Sequence, residues 1–186
     1  MGRMQQNRLA MDRFLASVER RAFRMAQIAT GSREEALDIV QDAMFGLVKR
    51  YSEKSEKEWK PLFFRILQSR IRDWYRRNRV RRRWRIWLDS GHKPDGKEGE
   101  DPLATLADPN AHNPAEESIL ADATAALDSA LRTLTLRQQQ AFLLRAWEGM
   151  SLRETAVAMK CSEGSVKSHY SRAVHALRNL LEEYWV

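Results

Sequence analysis

Apolar positions recur at spacings of three and four along most of the chain, the period of an amphipathic helix. Between residues 8 and 29, Leu9, Met11, Phe14, Leu15, Val18, Ala22, Met25, Ala26 and Ile28 form one such stripe, and Gly31 stops it. Ser32 with Glu35 has the spacing of a capping box and opens a second helix through Ala36, Leu37, Ile39, Val40, Ala43, Met44, Leu47 and Val48. Tyr51 to Glu58 has no apolar pattern and reads as a polar loop. A long helix is expected from about Trp59 to Trp87, its first half apolar through Leu62, Phe63, Phe64, Ile66, Leu67, Ile71 and Trp74. After Pro114 the stripe resumes with Ile119, Leu120, Ala123, Ala126, Leu127, Ala130, Leu131 and Leu134. Thr135 with Gln138 is another capping box, and Gly149 ends the helix it opens. No alternating strand pattern interrupts this order.

The stretch from Ser151 to Ala176 predicts two short helices and a tight turn. Ser151 and Glu154 form a further capping box, and Leu152, Thr155, Ala156 and Met159 give one face. Lys160-Cys161-Ser162 breaks the pattern, Ser162 is a second cap, and Val166, Tyr170, Ala173, Val174 and Leu177 follow at helical spacing. Ala156 sits where the helices must cross closely. Lys167, Ser168, His169, Ser171 and Arg172 line the polar side, residue types that bond phosphates and base edges. This is the layout of a helix-turn-helix whose second helix enters the DNA major groove, set against an ordinary helical hairpin with a solvated face. Lys160 stands where such turns often hold glycine, and a left-handed backbone there would cost about 1 kcal/mol.

Charge sharpens the picture. The 186 residues carry a formal net charge of +7, which suits an anionic partner. In the long helix, Arg65, Arg70, Arg72, Arg76, Arg77, Arg79, Arg81, Arg82, Arg83 and Arg85 meet only Asp73, with Trp74, Tyr75, Trp84 and Trp87 interleaved. The acidic partners of a salt-bridged surface are missing. Guanidinium groups pair with phosphates and rings stack on unpaired bases, so nucleic acid suits this run better than a solvated face or an acidic protein does. Residues 89 to 117 reverse the sign: Asp89, Asp95, Glu98, Glu100, Asp101, Asp108, Glu116 and Glu117 outweigh Lys93 and Lys97 among Gly, Pro and Asn. They read as a disordered linker, either a solubilising tether or an acidic strand for a basic channel. The fold expected is all-α: two small helical domains, 8–88 and 118–186, joined by the flexible acidic linker 89–117.

Candidate chemistry changes little. The single cysteine, Cys161, excludes an internal disulfide, and no apolar run approaches the about 18 residues that span a bilayer. His92, His112, His169 and His175 do not cluster with Cys or paired acids, and no phosphate-binding or dinucleotide loop or nucleophile elbow occurs. No catalytic residue, metal ligand or cofactor is expected, no membrane insertion, and a cytoplasmic protein fits.

Five further stretches carry a resemblance: Asp38-Ile39-Val40-Gln41-Asp42-Ala43-Met44-Phe45; Trp59-Lys60-Pro61-Leu62-Phe63-Phe64-Arg65-Ile66-Leu67 with Asp73-Trp74; Leu134-Thr135-Leu136-Arg137-Gln138; Glu148-Gly149-Met150-Ser151; and Gly164-Ser165-Val166-Lys167-Ser168. In this order they are similar to D-L-V-Q-E-T-F, F-R-A-W-L-Y-R-I-A…D-W-L-R-R, L-P-x-R-Q, E-G-L-S and V-G-T-V-K-S of bacterial RNA polymerase sigma factors of the extracytoplasmic-function group, which hold only domains two and four. The resemblance runs from about residue 8 to 182. It implies partners: core RNA polymerase, through the clamp of its largest subunit and its flap; promoter DNA; and, for many such sigmas, an anti-sigma protein. Asp38, Gln41, Asp42 and Phe45 would contact core. Trp59, Arg65, Ser69, Arg72, Trp74, Arg76 and Arg77 would open the −10 element and hold an unstacked base. Arg153, Glu154, Ser165, Lys167, Ser168, His169, Ser171 and Arg172 would bind the −35 element. The chain departs from the family at Ser69, Arg70, Arg72, Thr135 and His169.

Three rivals are weaker. Leu134-Thr135-Leu136-Arg137 with Val166-Lys167-Ser168-His169 also resembles the LuxR-type helix-turn-helix, but that family would place a receiver or ligand domain where this chain is helical and basic. An arginine-rich RNA-binding protein would leave the helix-turn-helix unexplained, and an enzyme lacks a catalytic constellation.

Overall fold

The computed structural model describes residues 2–90 and 119–182, with side chains over 5–78 and 124–182. Among the described residues seven α-helices follow one another: α1 (Gly2–Thr30), α2 (Arg33–Tyr51), α3 (Glu56–Ser90), α4 (Ile119–Thr133), α5 (Leu136–Phe142), α6 (Leu152–Met159) and α7 (Glu163–Leu180). The described chain is all-α.

α1 buries Met11, Val18, Ala22, Met25 and Ala26 and stops where Gly31 takes φ +71°. Ser32 caps α2 by accepting from the Glu35 N–H, but the expected box is only half formed. The Ser32 N–H donates instead to the Thr30 hydroxyl at 3.2 Å. The polar loop is shorter than its composition suggested. α2 runs to Tyr51 and α3 begins at Glu56, because Ser55 and Glu58 cap the start: the Ser55 N–H and hydroxyl donate to Glu58 Oε2 at 3.2 and 2.9 Å. Ser-x-x-Glu was present in the sequence there, hidden inside an otherwise charged run.

α3 carries two buried stripes at four-residue spacing. Trp59, Phe63, Leu67 and Ile71 complete the core with α1 and α2, and Phe14 meets Trp59 and Phe63 at 5.9 and 6.1 Å between ring centroids. The Tyr75 hydroxyl donates to the Ala29 carbonyl at 2.8 Å and ties α3 to the end of α1. The second stripe, Lys60, Phe64, Gln68 and Arg72, is considered below. Asp89 and Ser90, read as linker, close α3; the remainder of the acidic stretch lies outside the described residues.

The second unit keeps its sequence-encoded caps. Thr135 with Gln138 and Ser151 with Glu154 both form complete capping boxes. α5 ends in a π turn over Leu143–Trp147, which the apolar spacing did not predict. Gly149 (φ +63°) then redirects the chain into α6. Lys160 takes the left-handed conformation, φ 54° and ψ 52°, between the helix-turn-helix helices α6 and α7. α7 buries Val166, Ala173 and Leu177, and Tyr170 stacks on Phe142 at 6.3 Å. α1, α2 and α3 pack on one another, α4 to α7 do likewise, and the two units meet through α1 against α4 and α3 against α6.

Candidate nucleic-acid interface

Ser162 sets the start of α7: its hydroxyl accepts from the Ser165 N–H at 3.1 Å and lies 2.9 Å from the Ser165 hydroxyl. Ser165 therefore completes a cap. One turn further, Lys167, Ser168, Ser171 and Arg172 are all exposed, on the face opposite Val166 and Ala173. His169 is half-buried; burial first, then Arg137 and Arg172, lower its pKa and favour the neutral ring. Arg153 is exposed on α6 beside the turn, and with Val157, Lys160, Cys161 and Glu163 it lines an open groove. Glu154 is committed to its cap: hydrogen bonds from Ser151 hold its carboxyl below the ordinary value. An exposed Lys/Ser/Arg row on a rigidly capped helix can reach phosphates and base edges together.

The expected −10 set does not form one surface. Trp59 is fully buried, donating from Nε1 to the Tyr51 carbonyl, and Trp74 is buried as well. Their rings fill the core rather than face solvent, although the resemblance places both on the −10 face. Arg65 bonds the Tyr51 hydroxyl at 2.7 Å and lies over that ring. Ser69 is half-buried, while Arg76 and Arg77 are exposed, Arg76 with Asp73 at 3.2 Å. Arg72 turns toward the second unit: its Nη1 donates to the carbonyls of Ala158 and Met159, each at 3.4 Å. Arg137 Nη1 donates to the same Met159 carbonyl at 2.6 Å, so two guanidinium groups cap the negative end of α6. Burial, then Arg137, lower the Arg72 pKa. The side chains of Arg79, Arg81, Arg82, Arg83 and Arg85 lie outside those described.

α2 presents a different surface. Asp38, Gln41, Asp42 and Phe45 are exposed together, Phe45 to 74%. With Glu35, Ile39, Arg70 and Arg77 they line one groove, in which Arg70 pairs with Asp42 at 3.6 Å. The groove is rimmed by three acids and two arginines and leaves the Phe45 ring uncovered. Sequence reasoning had placed its four α2 residues but not Arg70 on the rim.

It also missed a polar cluster between the units. Glu148 is quoted above only as part of a short motif, yet its side chain is wholly buried. Arg21 Nε lies 2.8 Å from Oε1 and Lys60 Nζ 3.5 Å from Oε2, while Lys60 also donates to the Glu148 carbonyl at 2.6 Å. Arg24 pairs with Asp128 nearby. An acid directly before a glycine at a helix end was the one available signal, and it named no partner.

Two helical units, one carrying an exposed helix-turn-helix face, fit the class of DNA-binding transcription proteins. Comparison with known families narrows this. Residues 10–81 match Sigma-70 region 2, and residues 124–177 match Sigma-70, region 4. The chain belongs to the sigma-70 family and is a sigma factor of its extracytoplasmic-function group. It is 28% identical over 149 residues to the RNA polymerase sigma-E factor of Streptomyces antibioticus, covering 80% of this chain and 71% of that one. The sigma-E factor of Streptomyces avermitilis matches equally, at 28% over 149 residues. The sigma factor BldN of Streptomyces coelicolor is 41% identical over 69 residues, 26% of its length. In fold the chain is similar to the sigma factor RpoE of Bartonella quintana, solved in complex with the anti-sigma factor NepR: 22% identity, TM-score 0.55, covering 96% of this chain and 95% of that one. No helix of the described residues is long and apolar enough to cross a membrane.

Proposed function

We propose that this sigma factor uses three separate faces to bring core RNA polymerase to promoters, contributing recognition and no catalysis, in the cytoplasm where the polymerase works. The single observation that carries this is the coexistence, in one chain, of the open α7 row and the open α2 groove. Residues 118–186 form the −35 unit: Lys167, Ser168, Ser171 and Arg172 face the groove, with Arg153 on the phosphate backbone and Glu154, Ser165 and His169 holding local geometry. Residues 8–88 form the core-binding and −10 unit. Asp38, Gln41, Asp42 and Phe45 dock on the polymerase, the exposed ring supplying the buried anchor of that contact. Arg76 and Arg77 start the −10 surface. The acidic stretch that follows α3 would tether the two. A partner that masks these faces fits the same reading, as the similar Bartonella quintana sigma is bound by an anti-sigma factor. A regulator acting without core polymerase is disfavoured, because the first unit matches Sigma-70 region 2 rather than a receiver or ligand domain.

The test is reconstitution with bacterial core RNA polymerase on a randomised promoter library. Transcription from sites sharing one spaced pair of elements supports the reading, and DNA binding without core association rejects it. Phe45→Ala is expected to leave the fold native, since the ring packs on little, and to weaken core association in a pull-down. Unchanged association would remove Phe45 from the docking face.

A further inference from the structure

Gly46 lies inside α2, where glycine is unfavourable for a helix. A β-carbon built there would lie 3.3 Å from Ile66 Cγ2, so its absence lets α3 come close at this point. The close approach fixes the register of the two helices. One turn back along α2 from Gly46 stands Asp42. One turn on along α3 from Ile66 stands Arg70, and the two side chains meet at 3.6 Å. Arg70 therefore belongs to the α2 groove, whereas Arg72 turns to the second unit and Arg76 meets Asp73.

The pairing is loose. At 3.6 Å it is too long for a hydrogen bond, and the Arg70 and Asp42 side chains are 41% and 61% exposed. An ion pair this open contributes little to the fold. It leaves the guanidinium donors of Arg70 on the rim of the groove that also holds the uncovered Phe45 ring. A protein that covers the ring also takes water from Arg70 and Asp42. A charge dried in this way is costly unless it meets an opposite charge. A cation of the partner satisfies Asp42. The guanidinium then needs a carboxylate of its own, the group its planar fork is shaped to hold.

We propose that Arg70 is a specificity-determining residue of the α2 docking face: its guanidinium takes a carboxylate on core RNA polymerase, so the groove selects a surface that carries an acid beside a cation. This rests on the groove being the polymerase-docking face, as proposed above. The α2 acids alone would accept any basic surface. Arg70 sets a like charge against a purely basic one and makes the fit two-signed. The chain departs from the family's motifs at Arg70, so this contact is not one the resemblance supplies.

The experiment titrates the labelled full-length chain with DNA-free core polymerase at fixed ionic strength. Arg70→Ala is expected to weaken association about tenfold and Arg70→Glu further, with Arg70→Lys between Ala and the native residue. The differences should shrink as salt rises. Helix content and Tm should stay native in each variant, because the ion pair is exposed. Unchanged or tighter association of Arg70→Ala overturns the proposal and leaves Arg70 as a counter-ion within the chain. Weakening seen only when DNA is present overturns it too, since Arg70 would then be a phosphate contact. The same substitution in an Asp42→Ala chain separates contact from positioning. An Arg70 that meets a polymerase carboxylate still matters there, so Arg70→Ala weakens association further. An Arg70 that only holds Asp42 in place has no further effect, which overturns the proposal. Phe45→Ala runs in parallel. Loss of association by Phe45→Ala but by none of the Arg70 variants sinks the Arg70 contact alone, whereas no association by the unmodified chain sinks the docking reading itself.

Discussion

α3 and α7 look alike as sequence: each is a helix with an apolar stripe and a basic, polar opposite side. In the folded chain they differ. The α7 row of Lys167, Ser168, Ser171 and Arg172 stands open, whereas the α3 positions Lys60, Gln68 and Arg72 turn into a contact with α6 and Glu148. The difference teaches that unpaired charge in a sequence marks a need for a partner and leaves the partner open. Among the described residues no ion pair reaches the α7 row, which is exposed. On α3, Arg70 and Arg76 pair with Asp42 and Asp73 in their own half of the chain, while Lys60 reaches Glu148 in the other.

The sharpest break in that comparison is at Trp59. If its ring belongs to the core, as its complete burial requires, Trp59→Ala should cost about 3–5 kcal/mol in a denaturant melt. A change near zero with selective loss of −10 recognition would return the ring to the DNA surface. Next comes the open face. Arg172→Ala, or Ser168→Ala, should cost about 1–3 kcal/mol on −35 DNA and relax preference at one base position. Equal weakening on every sequence would demote them to phosphate contacts. Smaller still is the turn between α6 and α7. Lys160 holds φ 54°, so Lys160→Gly should raise stability by up to about 1 kcal/mol, read as a higher Tm. A lowered Tm would mean that the lysine side chain contributes more than its backbone costs.

The smallest effect is pH-dependent. His169 has a folded pKa below its ordinary 6.5, chiefly through burial. The unfolded chain therefore takes up this proton first. Stability is intact above about pH 6.5 and falls as the pH drops through that value toward the folded pKa, below which both states are protonated. His169→Gln should flatten the Tm profile between about pH 7 and pH 5. An unchanged slope would place the titration elsewhere.

Much of the helix order was legible because it depends on local chemistry. Thr135–Gln138 and Ser151–Glu154 closed as written, since each box needs only four consecutive residues. Ser32 shows the limit: its N–H had a second local acceptor in Thr30, and that one prevailed. Ser55–Glu58 went unseen because charge alone described the run around it. The π turn over Leu143–Trp147 also had no signature, as it shifts the hydrogen-bond register without changing which residues are apolar. Trp59 was placed on the −10 face by resemblance and Trp74 also by its company of arginines, yet a helix has two sides and both rings lie on the buried one.

By itself, then, the sequence determined the helices, their caps, the helix-turn-helix and the family, all properties carried by spacing within a few residues or by ordered motifs. Which basic face stays open was decided by tertiary structure. Arg21 and Lys60 reach Glu148, and Arg72 reaches the carbonyls of Ala158 and Met159, across 86 or more positions of chain. Such contacts have no period and no motif, because they exist only once two independently patterned surfaces have been brought together.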